Sequence, residues 1–152
     1  MALTPVLTDL VGAGLAGVAV WFWPQIMSVA REQLVPWVDR HIPELADSVR
    51  LAFSDLEKVA AGLRRAARSA WGRLRHVLVS QTAEFVGPVD GEWVIRVTSC
   101  LRHLEQTVQV VTEQVLDRAD LPDEVRAATM SNGLGGTFID IVKARDRLLE
   151  AA

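Results

Sequence analysis

Cys100 and His103 are the residues whose types and spacing come closest to chemistry. Three positions apart on a helix, a thiol and an imidazole share one face. They could form a thiolate–imidazole contact or half of a metal site. Either use needs more groups, and His41 and His76 stand elsewhere in the chain with no ligand spacing to the pair. No G-x-S-x-G, H-E-x-x-H, P-loop or C-x-x-C pattern is present. Cys100 therefore reads as a small core or near-core residue. Residues 133–137 (GLGGT) open a helix, and a glycine-rich helix start can cradle an anion. The lysine and preceding strand of a phosphate loop are missing, so a helix stop followed by a hinge accounts for the run. The expectation is a non-enzymatic protein with no cofactor, no metal and no small-molecule substrate.

Charge offers a second kind of chemistry. Residues 64–76 (RRAARSAWGRLRH) are basic and contain no acid. On a 3.6-residue helix Arg64, Arg68 and Arg75 share one face, with Lys58 and Arg65 on a neighbouring one. This is a candidate docking face for anionic lipid, an acidic protein or, last, nucleic acid; the plain reading is a solvated helix face. Glu113, Asp117, Asp120, Asp123 and Glu124 form an acidic patch opposed only by Arg118. Two such poles on one hairpin suggest head-to-tail contact between copies, screened by salt. The whole chain is nearly balanced, with 16 Lys+Arg against 19 Asp+Glu over 152 residues, which gives no reason to expect nucleic acid.

The elements that must position these groups begin with an apolar segment. No charge lies between Asp9 and Arg31. At ~1.5 Å per residue this stretch could cross the ~30 Å hydrocarbon layer. Its candidate membrane residues are Leu10, Gly12, Ala13, Leu15, Ala16, Gly17, Val18, Val20, Trp21, Phe22 and Trp23. The four-residue pairs Gly12/Ala16 and Ala13/Gly17 would allow close helix approach in lipid. Against a span stand the aromatic trio at mid-length, Pro24 and Gln25; a helix buried in a soluble bundle and an interfacial or re-entrant segment are the alternatives. Arg31, Arg40 and Arg50 follow the segment and none precedes it, which would place the body in the cytoplasm. The free Cys100 agrees with a reducing compartment.

Residues 31–43 read as a connector broken by Pro36 and Pro43. From Leu45 the apolar positions Val49, Ala52, Leu56, Val59, Leu63, Ala66 and Ala70 follow a heptad, continued by Leu74 and Val77. A second heptad runs Val94, Val97, Leu101, Leu104, Val108, Val111, Val115. The predicted body, residues 44–120, is therefore an antiparallel helical hairpin, 45–77 against 92–118. A competing β-hairpin over 76–86 and 92–100 rests on Val77, Val79, Phe85, Trp93, Ile95 and Val97. The longer in-phase heptad favours helix. Residues 121–152 supply two short helices, the second capped by Thr137 and apolar at Phe138, Ile141, Val142, Arg145, Leu148 and Leu149.

The fold expected is thus all-α: an apolar, transmembrane helix over 1–30, the connector, the hairpin and two short helices. Arginine-rich, tyrosine-free usage suggests a bacterial source. The function expected is a membrane-anchored scaffold or interaction protein with a cytoplasmic body. Its partners would be itself or another helical protein, together with lipid. The alternatives are a cytoplasmic, soluble bundle subunit of a larger assembly and a membrane-permeabilising effector.

Overall fold

In a computed structural model the chain is described over residues 3–11, 13–53, 61–116 and 138–150. Helix α1 (Leu3–Val11) leads into the long α2 (Ala13–His41). A 3-10 turn at Pro43–Leu45, α3 (Ala46–Ala52) and α4 (Ala61–Leu74) follow. Then come strands β1 (Leu78–Val89), β2 (Glu92–His103) and β3 (Gln106–Val115), the short β4 (Phe138–Asp140) and helix α5 (Ile141–Glu150). The strands form one antiparallel sheet in the order β3-β2-β1-β4.

The all-α expectation is therefore overturned: the fold is mixed, and neither a helical bundle nor a coiled coil is present among the described residues. The second heptad lies on β2 and β3. The reason is its composition, dense in valine and threonine from Val94 to Val115, which suits a pleated surface. Along β2, Trp93, Ile95, Val97, Ser99 and Leu101 are buried while the residues between them are half-buried, the period of two expected for a sheet with one covered face. The β1–β2 turn uses Asp90 and Gly91 at φ 51° and 80°, a common two-residue hairpin pair. The β2–β3 turn uses Leu104 and Glu105 at φ 50° and 65°, neither of which announces a turn in the sequence.

The first heptad does not form one continuous helix. Its positions Val49, Ala52, Ala70, Leu74 and Val77 are buried, but Leu63 is half exposed, α3 ends at Ala52, α4 ends at Leu74 and α4 also buries Ala67 and Trp71. Residues 54–60, which carry Leu56 and Val59, lie outside the described set. The predicted connector is helical, since α2 runs through Pro36 to His41. Pro24 and Pro36 each remove one backbone bond, but both sit on the exposed side of α2, where solvent can replace it. The final helix occurs, starting at Ile141 rather than Phe138. Asp140 Oδ1 accepts from the Lys143 N–H at 2.9 Å and caps its first turn.

The core fills the space between one face of the sheet and the helices. Phe22 and Ile26 of α2 are buried, and the Phe22 ring lies 6.2 Å from Phe85 of β1. On the β1/β4 side, α1, α4 and α5 interlock. Trp71 Nε1 donates to Asp146 at 2.5 Å, Arg68 Nε donates to the Leu149 carbonyl at 2.9 Å, and Arg147 pairs with Asp9 at 3.5 Å. Arg145 is buried in α5 and donates to the Ala52 carbonyl, with its guanidinium 6.0 Å from the Phe53 ring.

The transmembrane expectation is corrected by the same packing. Ala16, Val18, Phe22, Trp23, Ile26 and Leu34 are buried within the chain. Among the described residues no single helix is long and apolar enough to cross a membrane. Leu3–Val11 and Ala16–His41 meet that test only as a pair bent by 113°. The segment is apolar because it lies against the sheet and its neighbouring helices.

Candidate functional site

In a strand, successive side chains alternate faces. The register therefore sorts the sheet into a covered and an open side. Ala83, Phe85, Trp93, Ile95, Val97, Leu101 and Ile139 point to the helices and are buried. The opposite parity makes rows across the other side. One row is Asp140, Thr82, Thr98 and Val111; the next is Phe138, Glu84, Arg96 and Glu113; a third is Val86, Val94 and Val115. None of these side chains is buried. Arg96 lies between two carboxylates, 3.5 Å from Glu84 and 3.2 Å from Glu113, and holds three strands in one charged row. Around it Val111, Val115 and Phe138 are at least half exposed, at 52%, 50% and 58%.

The two edges of the sheet differ. β4 is three residues long, whereas β3 has ten and contains no proline, glycine, lysine or arginine. The Leu116 N–H donates to the Trp93 carbonyl at 2.9 Å. In an antiparallel ladder, bonded and non-bonded pairs alternate. Residues 114, 112, 110, 108 and 106 therefore bond to β2. Thr107, Gln109, Val111, Glu113 and Val115 aim their backbone groups away from it. Gln25 Nε2 donates to the Val115 carbonyl at 2.9 Å, so this carbonyl already has a partner within the chain.

Helix α2 fixes β3 from the covered side. Gln33 is buried, and its Nε2 donates to the Val97 carbonyl at 2.9 Å, the Val110 carbonyl at 3.1 Å and Thr112 Oγ1 at 3.0 Å. Its Oε1 accepts from Ser99 Oγ at 2.5 Å, and Ser99 Oγ accepts from Gln81 Nε2 at 2.9 Å. Nothing in the sequence marks Gln33 out, because one amide among apolar helix positions looks like any surface glutamine. At the far end of α2, Trp37 stacks on His41 at 4.5 Å and meets His103 edge-on at 6.3 Å. Together with Leu104, Gln106 and Val108 they line a pocket of about 140 Å³, well below the ~300 Å³ of small-ligand sites.

The residues singled out in the sequence are dispersed. Cys100 faces the open side of β2 and His103 the helix side, so the strand separates the thiol and imidazole that a helix would have joined. Among the described residues no group of three or more potential ligands could hold a metal ion. Of the basic face, Arg68 binds the Leu149 carbonyl. Arg75 donates to the Leu78 carbonyl at 2.7 Å and pairs with Asp146 at 3.6 Å, so both tie α4 to its neighbours. Arg65 is exposed and Arg64 half-buried on α4, and Lys58 lies outside the described residues. Of the acidic patch, Glu113 is on β3, paired with Arg96; Asp117, Asp120, Asp123 and Glu124 lie outside the described residues, as do residues 133–137. In the apolar segment Trp21 is exposed, Leu10 and Val20 are half-buried and Gly17 faces open space. Gly12 and the side chains of Ala13 and Leu15 are not among those described, while Ala16, the partner proposed for Gly12, is already packed inside the chain.

No protein-family model, curated protein or solved structure matches this chain.

Proposed function

We propose that this chain is a non-enzymatic interaction protein that associates with itself through its sheet, with Ala16, Val18, Phe22, Trp23 and Ile26 of the apolar segment serving as core. The observation that carries this reading is the one-sided layering: the described helices pack on one face of the sheet. Among the described residues that leaves a charged and valine-bearing opposite face and a ten-residue edge strand. Long edges of this kind are templates for pairing with another chain, which proteins otherwise blunt with proline, lysine or extreme shortness. The proposal keeps the self-association expected from the sequence and moves it from a small-residue helix stripe to the sheet. Light scattering on the full chain across a wide concentration range tests it. A mass rising toward a multiple of 16.7 kDa is the expected result, and a constant monomer mass at every concentration rejects it.

The anchored alternative draws on composition alone, because the same apolar side chains already fill the interior. Cell fractionation separates the two. Retention in membranes after salt and carbonate washing would favour lipid as the principal partner. Recovery in the wash would leave the interaction reading.

A further inference from the structure

We propose that β3 is a homodimerisation edge, two copies pairing antiparallel about Val111 to make one continuous eight-stranded sheet. This rests on the self-association reading above and names the surface that performs it.

The outward backbone groups belong to Thr107, Gln109, Val111, Glu113 and Val115, a set symmetric about Val111. A twofold axis through Val111 uses all five. Val111 faces its own copy, Gln109 faces Glu113 of the second copy, and Thr107 faces Val115 of the second copy. Every facing pair is then of the bonded type, giving about eight inter-chain backbone bonds once the Val115 carbonyl is left to Gln25. Shifting the strands in either direction leaves outward groups without a partner.

The side chains select the same register. Gln109 can donate its amide protons to the Glu113 carboxylate of the second copy, and the symmetry repeats that contact. The two Glu113 carboxylates then sit four residues apart along the seam, ~13 Å. Moving the axis to Glu113 would set them face to face, where like charges destabilise a strand pair. The half-exposed valines 111 and 115 would be covered along the seam, and Glu113 is already part-neutralised by Arg96. Strand addition takes affinity from main-chain bonds and specificity from alternate side chains, and this edge supplies both to a copy of itself.

The experiment is sedimentation equilibrium of the full chain, with circular dichroism and amide exchange on the same samples. Val111→Pro removes an N–H that β2 does not use, so the sheet can keep its internal ladder. Val111→Lys puts two ammonium groups at the axis and needs no backbone change. Each should weaken the dimer about tenfold or more with an unchanged spectrum. Gln109→Lys should tighten it about threefold at low salt by setting an ammonium group against Glu113 of the second copy, a gain lost in high salt. Amides 109, 111, 113 and 115 should exchange slowly in the dimer and fast on dilution. A wild-type dimer indifferent to all three folded variants overturns the edge while leaving self-association standing. A monomer at all concentrations with these amides protected shows that the chain covers its own edge, and overturns both.

Discussion

Gln33 offers the sharpest test of how α2 and the sheet are joined. Methionine at this position keeps the length and volume of the side chain and deletes only the amide. The Nε2 group has two protons and three acceptors within 3.1 Å, so it makes two good bonds and shares a third. The Val97 and Val110 carbonyls keep their ladder partners, so losing those bonds costs about 1 kcal/mol each. The Ser99 hydroxyl is different: it is fully buried, and its proton goes to Gln33 Oε1. Leaving it without an acceptor costs about 1–3 kcal/mol. Gln81 Oε1, buried and without a partner among the described residues, could swing to accept that proton and hold the loss at the low end. Gln33→Met should therefore destabilise by about 3 kcal/mol, a fall in Tm of ~6–12 °C for a domain of this size. Urea unfolding of Gln33→Met, Ser99→Ala and the double variant closes a thermodynamic cycle. The double variant should be more stable than the sum of the singles predicts by about 1–2 kcal/mol, since neither partner is then stranded. A single-variant loss below about 0.5 kcal/mol, or a cycle that is additive, would refute the claim that this amide clamps helix to sheet.

Other perturbations probe separate parts of the fold. A chain beginning at Arg31 should lack cooperative unfolding, because it loses Leu7, Val18, Phe22 and Ile26 from the core; a sharp thermal transition from that fragment would restore the anchor reading. Replacing Leu104-Glu105 by Asn-Gly should raise stability by about 1–2 kcal/mol by relieving two left-handed residues, and no rise in the urea midpoint would contradict the turn geometry. Trp71→Phe keeps the edge-on contact to Phe53 (5.7 Å, 86°) but removes the bond to Asp146. It should cost about 1.5–2 kcal/mol in chemical denaturation, the low end for a charged acceptor because Arg75 still pairs with Asp146.

The helices were legible where their signal was local. An apolar helix before Arg31 and a helix with buried Ile141, Val142, Leu148 and Leu149 both follow from spacing. What covers the first could not be read, since periodicity reports that a face is apolar and not whether lipid or a sheet lies against it. The failure at Val94–Val115 has a specific cause. A heptad alternates steps of three and four; a step of four keeps a strand residue on its face and a step of three reverses it. Val97 and Leu101 therefore stay together on the buried side, while Val94 and Leu104 fall off it. Five β-branched residues between Thr107 and Thr112 argue for strand, but the turn at Leu104 and Glu105 lacks glycine, asparagine or proline, so the segment reads as unbroken. The competing hairpin named Phe85, Trp93, Ile95 and Val97, and these four do line the buried face.

The amide clamp and the edge are parts of one requirement. Almost all of β3 is exposed or half-buried on both faces, so burial alone does little to choose its register against β2. A slip of two residues would keep every side chain on its own face and break no hydrophobic rule. Polar contacts of fixed geometry discriminate against it: Gln33 must find the Val97 and Val110 carbonyls and Thr112 together, and Arg96 must find Glu113. With the register fixed, Gln109, Val111 and Glu113 fall at set positions along the outer edge, and a second copy can meet them only in the order the twofold axis demands. Loosening Gln33 should therefore weaken the dimer as well as the fold, although the residue lies in the helix layer and not on the edge that meets the partner.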